Sequence, residues 1–128
     1  MDNLAIFYTN GYYVKKDDVE AFKWYRKAAD LNHVGAIFSV GYSYDIGRGV
    51  NKNYQEAFKW YEKAAKLGHA TAQNNLANLY QTGEGVNVDY QKAVEWYQKA
   101  ANQGLAVAQN SLGYLYEAGL GVTKNLTL

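Results

Sequence analysis

Polar residues recur at helical spacing between apolar stretches, beginning near residue 17. Within residues 17–31 they follow one another at intervals of three or four: Glu20, Lys23, Lys27 and Asp30. The residues between them are mainly alanine, aromatic or leucine. This spacing predicts a mostly buried helix with one solvated stripe.

A second helical pattern follows the first after a short break. In residues 70–82, Leu76 and Tyr80 fall on one side at helical spacing, and Asn74 and Asn78 fall on the other. Corresponding patterns predict second helices at roughly 34–46 and 106–118. The chain therefore alternates between two kinds of helix joined as hairpins.

The helix pair recurs with a period of 36 residues, which separates Trp24, Trp60 and Trp96 from one another. Residues 53–88 and 89–124 share 19 identities in 36 positions. A fixed period of this length is typical of a stacked repeat array. We expect three copies at 17–52, 53–88 and 89–124. Residues 1–16 would be a partial repeat that opens on a second helix, and 125–128 the truncated start of another, giving about seven helices in residues 1–128.

Capping residues support these helix bounds. Asp17, Asn53 and Asp89 precede the first helix of each copy and are good N-caps. Gly-x-Gly-Val loops begin at Gly47 and Gly83 and again at 119, where glycine tolerates a left-handed C-cap. The alanines of each copy would allow close helix pairing, and its Trp and Tyr side chains are expected to fill the gaps between copies.

Composition narrows the function classes. A net charge of +1 gives no electrostatic reason to expect nucleic acid or an anionic membrane surface. The chain has no cysteine, which excludes disulfides and thiolate chemistry. No apolar run approaches membrane-spanning length, and no signal peptide is visible. We expect no membrane insertion and a soluble protein, cytoplasmic by default.

Catalytic and metal sites find little support. His33 and His69 occupy equivalent positions about one packing layer apart, roughly 10 Å, which is too far to share one zinc ion. They are interpreted as turn residues. The Gly-x-Gly-Val loops close a helix, whereas a dinucleotide-binding loop opens one. The sequence predicts no enzyme activity, no cofactor and no metal.

The repeated motifs resemble those of the Sel-one-like repeat (SLR) family, a relative of the tetratricopeptide repeat. The relevant segments are Ala106-Val-Ala-Gln-Asn-Ser-Leu-Gly113 and Asp89-Tyr-Gln-Lys-Ala93 followed by Trp96-Tyr-Gln-Lys-Ala-Ala101. The resemblance implies an all-α protein, a right-handed α/α superhelix that acts as a protein–protein adaptor. It also implies that the second helix of each copy lines a concave groove.

Under that assignment, nine residues are candidates for binding a protein or peptide partner. We call them the groove stripe: Phe38, Tyr42, Asp45, Asn74, Asn78, Gln81, Asn110, Tyr114 and Glu117. The three groove helices contain no Lys or Arg, so a basic clamp for phosphate or RNA is not expected. Amides and aromatics suit an extended peptide instead.

Both ends of the array offer apolar residues to solvent. At the N-terminal end these are Leu4, Ile6, Phe7 and Tyr8, and at the C-terminal end Leu112, Leu115, Tyr116 and Leu120. Such ends favour a longer array or end-to-end self-association. The alternative to an adaptor is a structural spacer or oligomerisation segment that has no ligand of its own.

Overall fold

The computed structural model describes residues 6–9 and 12–122, with side chains from residue 17 onward. A two-stranded hairpin precedes six α-helices in this part of the chain. The elements are β1 (Ile6–Thr9), β2 (Tyr12–Lys15), α1 (Lys16–Asp30), α2 (Val34–Ile46), α3 (Tyr54–Lys66), α4 (Ala70–Thr82), α5 (Tyr90–Asn102) and α6 (Ala106–Ala118).

The six helices form three hairpins, α1–α2, α3–α4 and α5–α6, and the main contacts join helices that follow each other in sequence. Each hairpin therefore packs on its neighbours in a line. This arrangement confirms the predicted α/α superhelix with its repeating hairpins.

The N-terminal segment differs from the prediction. Residues 6–9 are not helical, since β1 pairs antiparallel with β2, with Ile6 opposite Lys15 and Thr9 opposite Tyr12. Both segments are rich in aromatic and β-branched residues, which favour strands. An Asn-Gly pair separates them in the sequence, a strong hairpin signal that outweighed the resemblance to a repeat helix. Residues 1–5 and 123–128, which include Leu4 and the expected start of a further repeat, lie outside the described residues.

The predicted caps are present at α3 and α5. The Asn53 side chain accepts a hydrogen bond from the Glu56 amide (3.1 Å), and Asp89 does the same for Lys92 (3.0 Å). Asp17 is not an N-cap, because α1 begins one residue earlier, at Lys16. Gly47 ends α2 in the left-handed conformation with φ 74°, as the sequence predicts.

The core contains the tyrosines of the inner first helices, many alanines and aliphatic residues such as Ile37, Leu76 and Leu115. Tyr61 and Tyr97 are 0% and 1% exposed, whereas Trp24 is 64% exposed and the other two tryptophans are half-buried. The expectation that tryptophan fills the gaps is wrong for Trp24. Successive helical residues point about 100° apart, so the tyrosine of each inner pair is fully buried, while its tryptophan is half-buried. Trp60 still reaches the neighbouring hairpin, where its Cβ lies beside Gly41 and Arg26 lies over its ring.

The glycine loops close each hairpin onto its own first helix. A Cβ atom on Gly49 would lie 2.3 Å from the carbonyl oxygen of Asp18 in α1. Equivalent approaches of 2.4 Å join Gly85 to the Tyr54 oxygen and Gly121 to the Tyr90 oxygen. Only glycine allows the loop to come this close.

Candidate functional site

The groove stripe lies on α2, α4 and α6, with three residues on each helix separated by one and two turns. Its members differ in accessibility. Five are exposed: Tyr42, Asn78, Asn110, Tyr114 and Glu117. Three are half-buried: Phe38, Asp45 and Gln81. Asn74 is only 5% exposed, so it belongs to the interior more than to a surface.

Four rings form an aromatic cluster at the α2 end of the stripe. Phe38 stacks against Tyr42 (ring centroids 5.9 Å apart), Tyr61 (5.7 Å) and His69 (4.7 Å). Because these rings come from α2, α3 and the start of α4, the cluster joins two hairpins. Phe38 thereby covers one face of the exposed Tyr42 ring.

A buried tyrosine hydroxyl bonds to the stripe beside this cluster. The Tyr61 hydroxyl donates to Oδ2 of Asp45 over 2.7 Å. Burial, followed by this hydrogen bond to the carboxylate, raises the pKa of Tyr61. The Asp45 carboxylate thus accepts a hydrogen bond from Tyr61 and remains partly exposed to solvent.

The equivalent tyrosine of the next hairpin bonds to two amides. The Tyr97 hydroxyl lies 2.8 Å from Oε1 of Gln81 and also contacts Oδ1 of Asn78. One hydroxyl donates a single hydrogen, so one of the two amides must present its NH2 group to the hydroxyl oxygen. Burial raises the pKa of Tyr97. The Tyr97 hydroxyl therefore bonds to neutral amides, whereas the Tyr61 hydroxyl of the preceding hairpin bonds to the Asp45 carboxylate.

Asn74 occupies the position equivalent to Phe38. Its Nδ2 atom donates to Oδ1 of Asn75 over 3.3 Å. Its own Oδ1 is buried and accepts no hydrogen bond from the residues that the structure describes. Buried polar atoms are normally hydrogen-bonded, so the Oδ1 atom of Asn74 is an acceptor that could still receive a hydrogen bond from an N–H group.

The α6 part of the stripe is the most open. Asn110, Tyr114 and Glu117 are all exposed. On α2 and α4, the stripe bonds to a tyrosine of the next helix, Tyr61 of α3 or Tyr97 of α5. Among the described residues, no further helix packs on α6 in this way. These three side chains are accessible as they stand.

One cation reaches the stripe from a loop. The Arg48 guanidinium lies 5.9 Å from the ring centroid of Tyr42. The helices α2, α4 and α6 themselves contain no Lys or Arg, as expected from the sequence. Arg48 was not among the predicted site residues because it lies in the loop, two residues after the end of α2.

The two histidines are helix caps, a role that the turn interpretation did not include. Nδ1 of His33 accepts a hydrogen bond from the Ala36 amide (3.2 Å), and Nδ1 of His69 accepts one from Ala72 (3.1 Å). Burial lowers the pKa of His69, which keeps this acceptor nitrogen unprotonated. The signal was available in the sequence, since each histidine directly precedes a helical pattern.

Tryptophans lie on the side of the array formed by the first helices. The Arg26 guanidinium is 5.0 Å from the ring centroid of Trp60, and Lys27 Nζ is 4.8 Å from that of Trp24. These cation–π contacts satisfy both partners within the chain. We therefore assign this surface to solvation and local stability.

An open depression of about 490 Å³ lies where the last glycine loop meets α5, lined by Asp89, Tyr90, Gln91, Gly121 and Val122. Within residues 6–9 and 12–122, no three metal-binding side chains converge. None of the described helices is long and apolar enough to cross a membrane.

Comparisons with solved structures identify similar folds. A Sel1 repeat protein from Oxalobacter formigenes is 46% identical, with a TM-score of 0.81, over 88% of this chain and 46% of that one. The protective antigen c5321 of uropathogenic Escherichia coli, which displays an SLR fold, is 40% identical, with a TM-score of 0.84, over 90% of this chain and 25% of that one. Cysteine-rich protein B of Helicobacter pylori is 28% identical, with a TM-score of 0.67, over 71% of this chain and 68% of that one.

This chain thus spans about half of the first of these proteins and a quarter of the second. No curated protein gives a significant sequence match. The sequence model of the Sel1 repeat matches residues 1–33, 34–69, 70–105 and 106–128. Sel1 repeat proteins are generally non-catalytic scaffolds for protein interactions. With its hairpins, glycine loops and family match spanning the chain, this protein belongs to the Sel1 repeat family.

Proposed function

We propose that this chain is a protein-interaction adaptor that binds an extended peptide segment of a partner along the groove stripe. The observation that carries the proposal is the aromatic cluster around Phe38, whose Tyr42 ring is exposed and stacks on Phe38. A ring with one face already packed has less conformational entropy to lose on binding. Such rings are common anchors in protein interfaces.

The cluster is suited to an apolar or aromatic side chain of the partner. Tyr42 and Phe38 supply flat apolar surface, while Arg48 and Asp45 stand on its margins with opposite charges. A peptide with one bulky apolar residue flanked by polar residues matches this combination. A strongly acidic peptide does not, because α2, α4 and α6 provide no lysine or arginine.

The remaining stripe is suited to the peptide backbone. Asn110 is an exposed amide whose donor and acceptor atoms match an extended main chain, and Asn78 is an exposed amide that also contacts the Tyr97 hydroxyl. Tyr114 offers a second aromatic surface at the α6 end. The proposed peptide therefore runs from an apolar anchor on α2 to polar contacts on α4 and α6.

Phage display of random peptides on the purified chain tests the proposal. A selected peptide is synthesised and titrated against wild type, Tyr42→Ala and Tyr114→Ala, with circular dichroism to verify the helical content. Loss of an anchoring ring is expected to weaken binding about tenfold or more.

Trp24→Ala is the matched control, because Trp24 is an exposed aromatic residue outside the stripe. It should leave the affinity unchanged. The groove assignment fails if the selected peptides lose affinity with Trp24→Ala and keep it with both tyrosine variants. If no peptide binds, the spacer alternative is favoured.

A further inference from the structure

Each end of the described helical array exposes a surface whose counterparts are buried inside it. On α1, Tyr25 is 44% exposed, whereas Tyr61 and Tyr97 occupy the same position on α3 and α5 and are buried. On α6, Gly113 is exposed, whereas its counterparts Gly41 on α2 and Ala77 on α4 are buried. The two ends thus present the two complementary halves of the contact that joins neighbouring hairpins.

The contact between α2 and α3 shows how these halves fit. A Cβ atom on Gly41 would lie 2.9 Å from Cδ1 of Tyr61, so the tyrosine ring rests directly on the glycine. One helical turn further on, the same tyrosine donates its hydroxyl to Asp45. Ring and hydroxyl together fix the register of the two helices.

The exposed face of α6 carries the same features. Gly113 occupies the position of Gly41, and an added Cβ there would meet nothing within 4 Å. Glu117 occupies the position of Asp45 and is exposed. The face of α6 therefore has a glycine on which a tyrosine ring can pack and a carboxylate that can accept its hydroxyl. The matching tyrosine, Tyr25, is exposed on α1.

We propose that a second copy of this chain covers α6 with its own α1, so that copies associate head to tail and continue the superhelix. Tyr25 of the second copy packs on Gly113 and donates its hydroxyl to the Glu117 carboxylate. The contact repeats the geometry that the chain already uses between α2 and α3, and the tyrosine of α5 likewise bonds to the preceding helix through Gln81.

This association is heterologous, since α6 of one copy contacts α1 of another. Each added copy presents a new free α6, so a straight array does not close on itself. The average mass is expected to rise continuously with concentration. A symmetric pairing would instead stop at a dimer.

Sedimentation velocity over a concentration series on the 128-residue chain tests the proposal. Gly113→Arg blocks one half of the contact at a site with open space, so the fold should be unaffected. Tyr25→Arg blocks the other half. Each variant is expected to bind other copies at least about tenfold more weakly through the blocked end. Thr71→Arg, at an exposed position on α4, serves as the control and should associate like wild type.

Mixing the two blocked variants gives the decisive result. Each should be monomeric alone, because one half of every contact is missing. Together they retain one intact pair of ends and should form heterodimers that grow no further. The proposal is overturned by a monomeric wild-type chain at high concentration, which would leave α6 to a different partner. It is equally overturned by a symmetric dimer that persists in both variants.

Discussion

Replacing Tyr61 with phenylalanine removes one hydroxyl from the contact between the first two hairpins and leaves the ring in place. The hydroxyl is buried and donates to a carboxylate over 2.7 Å. Hydrogen bonds to charged groups contribute about 1.5–3 kcal/mol, and neutral ones about 0.5–1.5 kcal/mol. Asp45 is partly open to water, which can replace the lost donor. We therefore expect Tyr61→Phe to lower the free energy of unfolding by about 1–2 kcal/mol.

Two matched variants calibrate this value. Tyr97→Phe removes a hydroxyl that bonds to neutral amides, so its cost should be smaller, about 1 kcal/mol. Tyr25→Phe changes a half-exposed tyrosine and should alter stability by no more than about 0.5 kcal/mol. The expected order of destabilisation is Tyr61, then Tyr97, then Tyr25.

Urea unfolding followed by circular dichroism and by tryptophan fluorescence measures these differences. The two probes must give coincident transitions, because repeat arrays sometimes unfold unit by unit. At low protein concentration the end contacts do not contribute. If Tyr61→Phe and Tyr97→Phe both unfold at the wild-type urea midpoint, the hydroxyl contacts to the stripe do not stabilise the array, and this account of the hairpin contact is wrong.

The stability difference between wild type and Tyr61→Phe is expected to depend on pH. The pKa of Tyr61 in the folded chain lies above its unfolded value of 10.0. Its contribution is therefore complete below pH 10 and is lost as the pH rises further, because the unfolded chain releases the proton first. The stability difference between wild type and Tyr61→Phe should narrow above pH 10 in urea titrations. A difference that widens there would contradict the assignment.

Three further predictions concern the packing and caps. Gly41→Ala should destabilise the chain, since the new methyl group meets the Tyr61 ring, whereas Gly113→Ala in open space should stabilise it by about 0.5–1 kcal/mol; equal shifts in thermal midpoint would refute this. The pKa of His69 is lowered on folding, so its capping contribution is complete above pH 6.5 and falls as the pH drops below that value. His69→Asn should keep the cap and flatten the fall in urea midpoint between pH 7.5 and 5, while an unchanged slope would exclude His69 as its source. Trp24→Ala should cost less than about 1 kcal/mol, and a loss of several kcal/mol in urea would place that ring in the core.

The period, the helix bounds and most caps followed from the sequence because they depend on local chemistry. Asn53 and Asp89 cap helices through atoms three residues away, and the glycines end helices through their own backbone conformation. The 36-residue period then placed these elements in a stack, since each hairpin mainly contacts its neighbours.

The distribution of burial around each helix did not follow from the sequence. Trp60 and Tyr61 are adjacent aromatic residues with similar apolar character, and only the crossing of α3 over α2 selects which one is buried. Asn74 was expected at a surface like Asn78, but it is buried. Which side of a helix is buried depends on how it packs against another helix, and the residue pattern of a single helix does not specify that packing.

The hydroxyl contacts were hidden for a related reason. Tyr61 and Asp45 are 16 residues apart, as are Tyr97 and Gln81, and each pair spans a loop and two different hairpins. The period itself contains this information, since a fixed offset recurs in successive copies. Once the α2–α3 contact is known, the offset predicts further partners, including Glu117 on α6.

The close glycine loops affect how an array of this kind can change its length. Each loop returns to the first helix of its own hairpin. Gly85, for example, lies against the backbone carbonyl oxygen of Tyr54. A duplication of 36 residues therefore copies a hairpin together with the contact that closes it. The tyrosine, its acceptor 16 residues earlier and the residues packed around that tyrosine must then match across the new junction. Whole-unit gain or loss is consequently a short evolutionary step, whereas an insertion inside a loop would open the hairpin that it closes.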